Sequence, residues 1–374
     1  MTNLAPTQHP RSPAESVRAV TFRAMNTRVT LQVVGSGPKV DAALTAAEEV
    51  FRRVEKACTR FDPSSPLMRA NEAKDTWFSV PPECHQALTE AARAHQETEG
   101  LFDPRVLESL VGLGYDRTLP FRSQAVELSA RPSTRGATLT VGSWKPGLEA
   151  GRVKVGPSPI DLGGIGKGFA VRLAGEVLGR AVRAHVVEAG GDCHLGGNGP
   201  RDEGWQVGVE DPRGGDRPVA VLKLRDTGCA TSSLKVRNWR VGQEQVHHLI
   251  DPRTGTSAQG GVLSVTVVGP DTARDEVWAK SLLIAGKREI SSLSNAHGLA
   301  ALWVDDEGQV SMSSAMQPWV SWLPSRAPPA TPRTLPPHLS AALEDRTAML
   351  ALLTRLMQLE QSAKRLTFNG LVRI

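Results

Sequence analysis

Four glycines and one lysine fall within Asp161-Leu162-Gly163-Gly164-Ile165-Gly166-Lys167-Gly168, and no other stretch restricts the local fold so tightly. Glycine reaches positive φ at little steric cost and carries no side chain. A loop this dense in glycine lets main-chain N–H groups come close to an anion, and Lys167 adds a point charge. A short apolar entry, Val153–Val155, precedes the loop, with Pro157 and Pro159 between them. Beyond it Phe169, Val171, Leu173, Ala174, Val177 and Leu178 recur at helical spacing, so the loop is expected to open a helix whose N-terminus faces the same anion. His185–Ala189 then reads as a short strand, and Gly190-Gly191-Asp192 as a second glycine turn.

Two generic phosphate loops do not fit these residues. A P-loop needs Gly-Lys followed by Ser or Thr, whereas Gly166-Lys167 is followed by Gly168, and the position of its first glycine is Asp161. Gly164-Ile165-Gly166 offers the glycine pair of a dinucleotide fingerprint, but no convincing apolar strand leads into it and Asp161 lies inside the turn. A plain tight turn is the alternative reading of the same stretch.

The rest of the chain reads as mixed helices and strands. Arg18–Val34 alternates, with Phe22, Met25, Val29, Leu31 and Val33 apolar around a polar break at Asn26-Thr27, which predicts two strand segments joined by a kink. Asp41–Arg60 is an amphipathic helix with Leu44, Ala47, Val50, Phe51 and Val54 on one face; Phe61–Ser65 ends it. Pro82–Thr98 is a second helix closed by Gly100, followed by a turn at Phe102-Asp103-Pro104. Residues 112–151 are polar and irregular, and read as a surface excursion with little chemistry. Trp205–Val209 and Val219–Leu224 look like adjacent strands, Cys229–Ser233 like a small polar cluster, and His247–Gly255 like a strand end running into a Pro/Gly turn. Val262–Val268 is a strand, Asp275–Ala285 a helix, and Leu299–Val304 the last core strand.

A length of 374 residues with 40% hydrophobic content allows one large domain or two smaller ones. The net charge of +5 comes from 44 Lys and Arg against 39 Asp and Glu spread along the chain, with no basic cluster interleaved with aromatics. Nucleic acid is therefore not expected as a partner, and an anionic small molecule suits the balance better. Cys58, Cys84, Cys193 and Cys229 show no paired spacing, which argues against zinc; buried free thiols are expected, with one disulfide as the alternative. Residues 1–17 read as a disordered leader, with neither a signal-peptide apolar core nor a transmembrane stretch. A cytoplasmic location is the default expectation, and an exported mature chain would look the same.

From Pro318 the composition changes. Residues 324–337 hold six prolines, so 318–338 reads as a linker, and 339–374 as a C-terminal amphipathic helix, Leu339–Leu366, with a tail. That added helix either docks on its own domain or meets a partner.

The glycine and acidic motifs, taken in order, resemble the FAD:protein FMN transferases of the ApbE family over Phe22–Trp303, about three quarters of the chain. The matching pieces are Phe22-Arg23-Ala24-Met25 with Thr27, Ser65 and Asn71, Gly100-Leu101-Phe102-Asp103-Pro104, the loop Asp161–Gly168, Ala189-Gly190-Gly191-Asp192, Ala230-Thr231-Ser232, and His248-Leu249-Ile250-Asp251-Pro252-Arg253-Thr254-Gly255. The resemblance implies an ApbE-like domain over 18–317, α+β in class, with mixed β-sheets flanked by helices and the C-terminal helix added to it. It also implies an enzyme that splits the pyrophosphate of FAD with Mg²⁺ and attaches FMN to a Thr or Ser hydroxyl of an acceptor flavoprotein, releasing AMP. On matched positions, Met25, Phe61, Leu101, Phe102, Asp103, Asp161, Lys167 and Ile250 would line the FAD site. Lys167 would meet its polar region, and His248, whose imidazole titrates near working pH, would handle the proton. Capping of a strand end is the alternative role for His248.

The departures gather at the metal. The family pattern sets an aspartate and, four residues on, a threonine on one helical face beside a carbonyl of the glycine loop. Here Gly164 would supply the carbonyl, Glu276 stands at the aspartate and Lys280 at the threonine; a shift by one residue restores Asp275 but pairs it with Ala279. Asn26, Ser233, Arg172 and Glu188 also depart from the pattern. Two further readings therefore stand beside transfer: a homologue that binds FAD without turnover, and an FAD pyrophosphatase yielding FMN and AMP. Use of Mg²⁺ and the oligomeric state stay open.

Overall fold

The computed structural model describes residues 17–119, 126–128, 144–235, 237–324 and 371–374. The leader up to residue 16, most of the linker and the expected helix Leu339–Leu366 lie outside the described residues. Eight strands build one antiparallel sheet: β1 (Val17–Ala24), β2 (Thr27–Val34), β3 (His185–Ala189), β4 (Asp192–Gly196), β5 (Thr227–Ser233), β6 (Val262–Gly269), β7 (Ala300–Asp305) and β8 (Val310–Met312). Their order in the sheet is their order in the chain, and every pair is antiparallel. Everything else is therefore an excursion from one meander that returns to the next strand.

Period-two alternation assigns the faces of this sheet. Val29, Leu31, Val33, Val187 and Ala189 point to a helical layer. Val186, Cys193, Leu195, Val268, Leu302 and Val304 point the other way, onto Trp205, Val207, Leu222 and Leu224. The helical layer contains α1 (Pro38–Cys58), α2 (Pro66–Ala73), α3 (Pro82–Glu97), α4 (Leu107–Gly112), α5 (Gly166–Gly179) and α6 (Thr272–Ala285), with α7 (Ile290–Ala296) beside it. Helices α1, α5 and α6 pack side by side over the sheet. Phe51 and Phe169 are almost fully enclosed between them, each contributing about 1.5–3 kcal/mol by leaving water. The opposite layer is a four-stranded sheet in the order Val320–Trp322, Ala220–Leu224, Trp205–Val209, Val372–Arg373.

Local chemistry explains where the sequence expectations shift. The break at Asn26-Thr27 is no kink but a two-residue hairpin turn, in which Met25 (φ 51) and Asn26 (φ 57) both take left-handed backbone and Ala24 pairs with Thr27. The Met25 amide is tied down by Glu55 Oε1 at 2.7 Å. Helix α1 begins at Pro38, whose ring pre-sets φ for a first turn, and stops where Thr59 becomes extended. Ser65 does not merely end α1: its hydroxyl accepts from Met68 N at 3.2 Å and caps α2, a helix the periodicity did not flag. Cys229–Ser233, expected as a small polar cluster, is part of β5, inside the sheet.

Nor is Leu299–Val304 the last core strand, since β8 and Val320–Trp322 follow it; the latter segment, placed by proline density in the linker, pairs with Ala220–Leu224. The excursion 112–151 is anchored as well. Tyr115 and Trp144 are buried, and the Trp144 indole donates to the Val155 carbonyl at 2.9 Å. All four cysteines are free and buried. No helix among the described residues is long and apolar enough to cross a membrane.

Candidate active site

A cavity of about 430 Å³ opens between the β1–β2 turn, the end of α1, the glycine loop and α6, within the volume range of sites that enclose small ligands. Met25, Phe61, Leu101, Phe102, Asp103, Asp161, Gly164, Lys167, His248 and Ile250 all lie on its wall. Residues far apart in sequence reach it because α1 and α6 cross the sheet and end where the β1–β2 turn and the 234–261 excursion lie.

The glycine loop is fixed from several sides. Asn71 on α2 accepts from Ile160 N at 3.0 Å and donates to Ile160 O at 2.9 Å, clamping the segment that enters the loop. Asp161 turns its carboxylate onto the Gly163 amide at 2.8 Å, with Arg60 Nε 3.6 Å away. Phe102 lies so close that a Cβ on Gly164 would come within 2.8 Å of its ring. Asp103 is spent on Arg105, whose Nη2 donates to Oδ2 at 2.6 Å, so it supports the turn more than it offers charge to the cavity. Arg60 sits over the rings of Phe61 and Tyr115 at 4.3 and 4.4 Å and donates to the Tyr115 carbonyl at 2.6 Å, making one stacked wall.

At the start of α5 the expected anion site is already filled from within the protein. Glu276 on α6 accepts from the Gly168 amide at 2.7 Å, from Lys167 Nζ at 2.7 Å and from Lys280 Nζ at 2.8 Å; Lys167 also bonds Asp192. Helices α5 and α6 come close enough because Gly168 has no side chain; a Cβ there would sit 2.4 Å from the Thr272 carbonyl oxygen. Burial would push the Glu276 carboxyl up, but Lys167 and Lys280 overcome it and hold it at about 2. Burial and the nearby Glu276 charge raise Asp192 to about 7, against the pull of the same lysines. Burial lowers Lys280 and is reinforced by Lys167, with Glu276 opposing. Burial also acts downward on Lys167, where Asp192 and Glu276 together outweigh it and raise it.

His248 carries a neutral ring. Burial, then the charges of Arg237 and Lys280, push its pKa well below the ordinary value. Its Nδ1 lies 3.2 Å from the Arg237 carbonyl, which can only accept, so Nδ1 holds the proton and Nε2 keeps a lone pair. That is the tautomer a general base needs.

Of the expected metal set, only Gly164 is on the cavity wall. Glu276 is held behind the two ammonium groups, and Lys280 occupies the cavity side of α6 with its stem near Gly164. Asp275 points the opposite way: a Cβ on Gly228 would meet its Oδ2 at 2.5 Å and one on Gly269 its Oδ1 at 2.2 Å. Burial, then the neighbouring Asp271, raise the Asp275 carboxyl well above its usual range against the pull of Arg274, where it packs against β5 and β6. Among the described residues no three His, Cys, Asp or Glu side chains are grouped to hold a metal ion. The donor set does not fit Mg²⁺. Of the other departures, Asn26 is in the cavity wall, whereas Arg172 pairs with Glu90 at 3.0 Å and Asp271 at 2.5 Å, Glu188 accepts from Gly191 N, and Ser233 caps Lys235 N.

Several wall residues carried no usable sequence signal. Tyr115 and Thr118 sit in the stretch that composition marks as irregular, and Arg237 reaches the cavity from the turn after β5. Arg60 and Glu55, also on the wall, lie within the stretch 41–60 that reads as a helix and carry no signal of a site.

An antiparallel meander with one helical layer, and a cavity whose wall carries two lysines and a neutral histidine, define an α+β protein with one deep lysine-bearing pocket. The family model for the ApbE family matches residues 25–303, and this chain belongs to that family. The FAD:protein FMN transferase of Klebsiella pneumoniae is 24% identical over 80% of this chain and 87% of its own length. That of Salmonella typhimurium is 25% identical over 82% and 88%. Among solved structures, the ApbE protein of Thermotoga maritima superposes with a TM-score of 0.71 at 26% identity, over 81% of this chain and 99% of that one.

Proposed function

We propose that this chain is an FAD:protein FMN transferase, moving FMN from FAD to a Thr or Ser hydroxyl of an acceptor flavoprotein. The observation that carries the reading is the neutral His248, its Nδ1–H bound to the Arg237 carbonyl, on the same cavity wall as Lys167 and Lys280. The acceptor oxygen attacks the FMN-side phosphorus, the bond from that phosphorus to the bridging oxygen breaks, and AMP leaves with that oxygen. His248 Nε2 takes the hydroxyl proton. Lys167 and Lys280 lie where charge on the diphosphate oxygens would be stabilised. The Phe61–Arg60–Tyr115 stack supplies an aromatic wall suited to a flat ring system.

Incubation of the full chain with FAD and a threonine peptide tests this. Mass spectrometry should find FMN on the peptide, with an equal amount of AMP released. His248→Gln should lower the rate by about 10²-fold or more while FAD still binds. FMN set free in solution in place of labelled peptide would favour hydrolysis, and bound but intact FAD would favour a binding protein; either result overturns the transfer reading.

A further inference from the structure

The carboxylates placed where a divalent cation is expected are already neutralised by the protein's own ammonium groups, and this disagreement supports an inference that rests on the FAD reading above. We propose that this chain takes FAD without a divalent metal, with Lys280 and Lys167 together supplying the positive charge that the diphosphate requires. A magnesium ion needs oxygen ligands in near-octahedral array. Both Glu276 oxygens are engaged, Oε1 by the two lysines at 2.7 and 2.8 Å and Oε2 by the Gly168 amide at 2.7 Å. Asp192 is engaged by Lys167, and Asp275 faces the sheet.

A ligand entering the cavity meets Lys167 and Lys280, since both line it and Glu276 does not. A dication within bonding distance of Glu276 would stand beside both ammonium groups, and like charges at that separation repel strongly in a low-dielectric site. The stem of Lys280 runs beside the loop, where a Cβ added to Gly164 would lie 3.8 Å from its Cδ. Glu276 thus orients two tethered cations in place of binding a diffusible one. Their charge stays with the chain whatever the metal content of the solution.

The test is FAD titration of the full chain in EDTA and again in excess Mg²⁺, with FMN transfer onto a threonine peptide and release of AMP into solution measured in both. Wild-type affinity and turnover should agree between the two media within about twofold, and Lys280→Thr should weaken FAD binding in EDTA by about tenfold or more, the worth of one charge-assisted hydrogen bond. Mg²⁺ should restore part of the loss in that variant, while Lys280→Arg should bind FAD in EDTA nearly as wild type does. Wild-type binding or turnover that rises about tenfold with Mg²⁺ overturns the inference and leaves the FAD reading standing. Absence of FAD binding in both media overturns both readings. The wild-type comparison needs no variant, so a misfolded Lys280→Thr would not blunt it.

Discussion

Asp275 and Glu276 are chain neighbours, both enclosed on α6, and they solve the same problem in opposite ways. On the side facing the glycine loop, Glu276 stays ionised because two ammonium groups and an amide converge on it. On the side facing β5 and β6, burial and then the neighbouring Asp271 raise the Asp275 carboxyl, and the Arg274 charge opposes them without prevailing. Burial therefore does not decide the charge of a carboxyl by itself; the partners that the packing supplies decide it. The difference also separates a site from a support, because only the ionised side carries its cations to the cavity.

The contrast can be broken most severely at Glu276. Glu276→Gln leaves two buried ammonium groups without their common counter-charge, and should cost about 3–5 kcal/mol in urea denaturation at pH 7; a loss below about 1 kcal/mol would show that the lysines do not depend on it. The same pair sets an acid limb. The folded Glu276 pKa of about 2 lies below its ordinary value of 4.5. Its contribution, about 3 kcal/mol in full, is present above pH 4.5 and lost as pH falls toward 2. Stability profiles of wild type and Glu276→Gln should converge over that window.

Smaller effects sharpen the other side. Gly228→Ala would bring a methyl within 2.5 Å of Asp275 Oδ2 and 2.9 Å of Thr272 N, and should cost about 1–3 kcal/mol by crowding the helix off the sheet. Asp275→Asn, nearly the same shape and already uncharged, should change stability by less than about 1 kcal/mol at acidic pH. Because the folded Asp275 pKa is raised, wild-type stability drains away as pH climbs above 3.8. The Asn variant lacks that drain, so it should gain on wild type from pH 4 to pH 8 in thermal melts. A variant that loses ground over that range would mean Asp275 is ionised in the fold.

Much of this architecture was legible because its signals are local. His185–Ala189 and Trp205–Val209 have the bounds that their alternation gives, and the glycine loop does open α5. The β1–β2 turn was not legible, since its left-handed positions are Met25 and Asn26 instead of glycine and the strain is held by Glu55, thirty residues away. Strand β5 hides for a different reason: its small, polar residues signal no strand until sheet neighbours enclose them. The site residues converge on one cavity largely as the motif order implies. The anion at the head of α5 could not be foreseen, because the carboxylate that fills it comes from α6, more than a hundred residues on, through an approach that Gly168 alone permits.

The last residues of the chain close a free margin of the molecule. Val372 and Arg373 lie parallel to Val207 and Gly208, and the Glu210 amide donates to the Ile374 carbonyl at 2.9 Å. On its outer side Trp205–Val209 would otherwise show a row of unpaired amides and carbonyls, the template on which separate chains add strand to strand. A chain lacking Leu371–Ile374 would lose that cover, so it should be more prone than the full chain to stacking on its own copies.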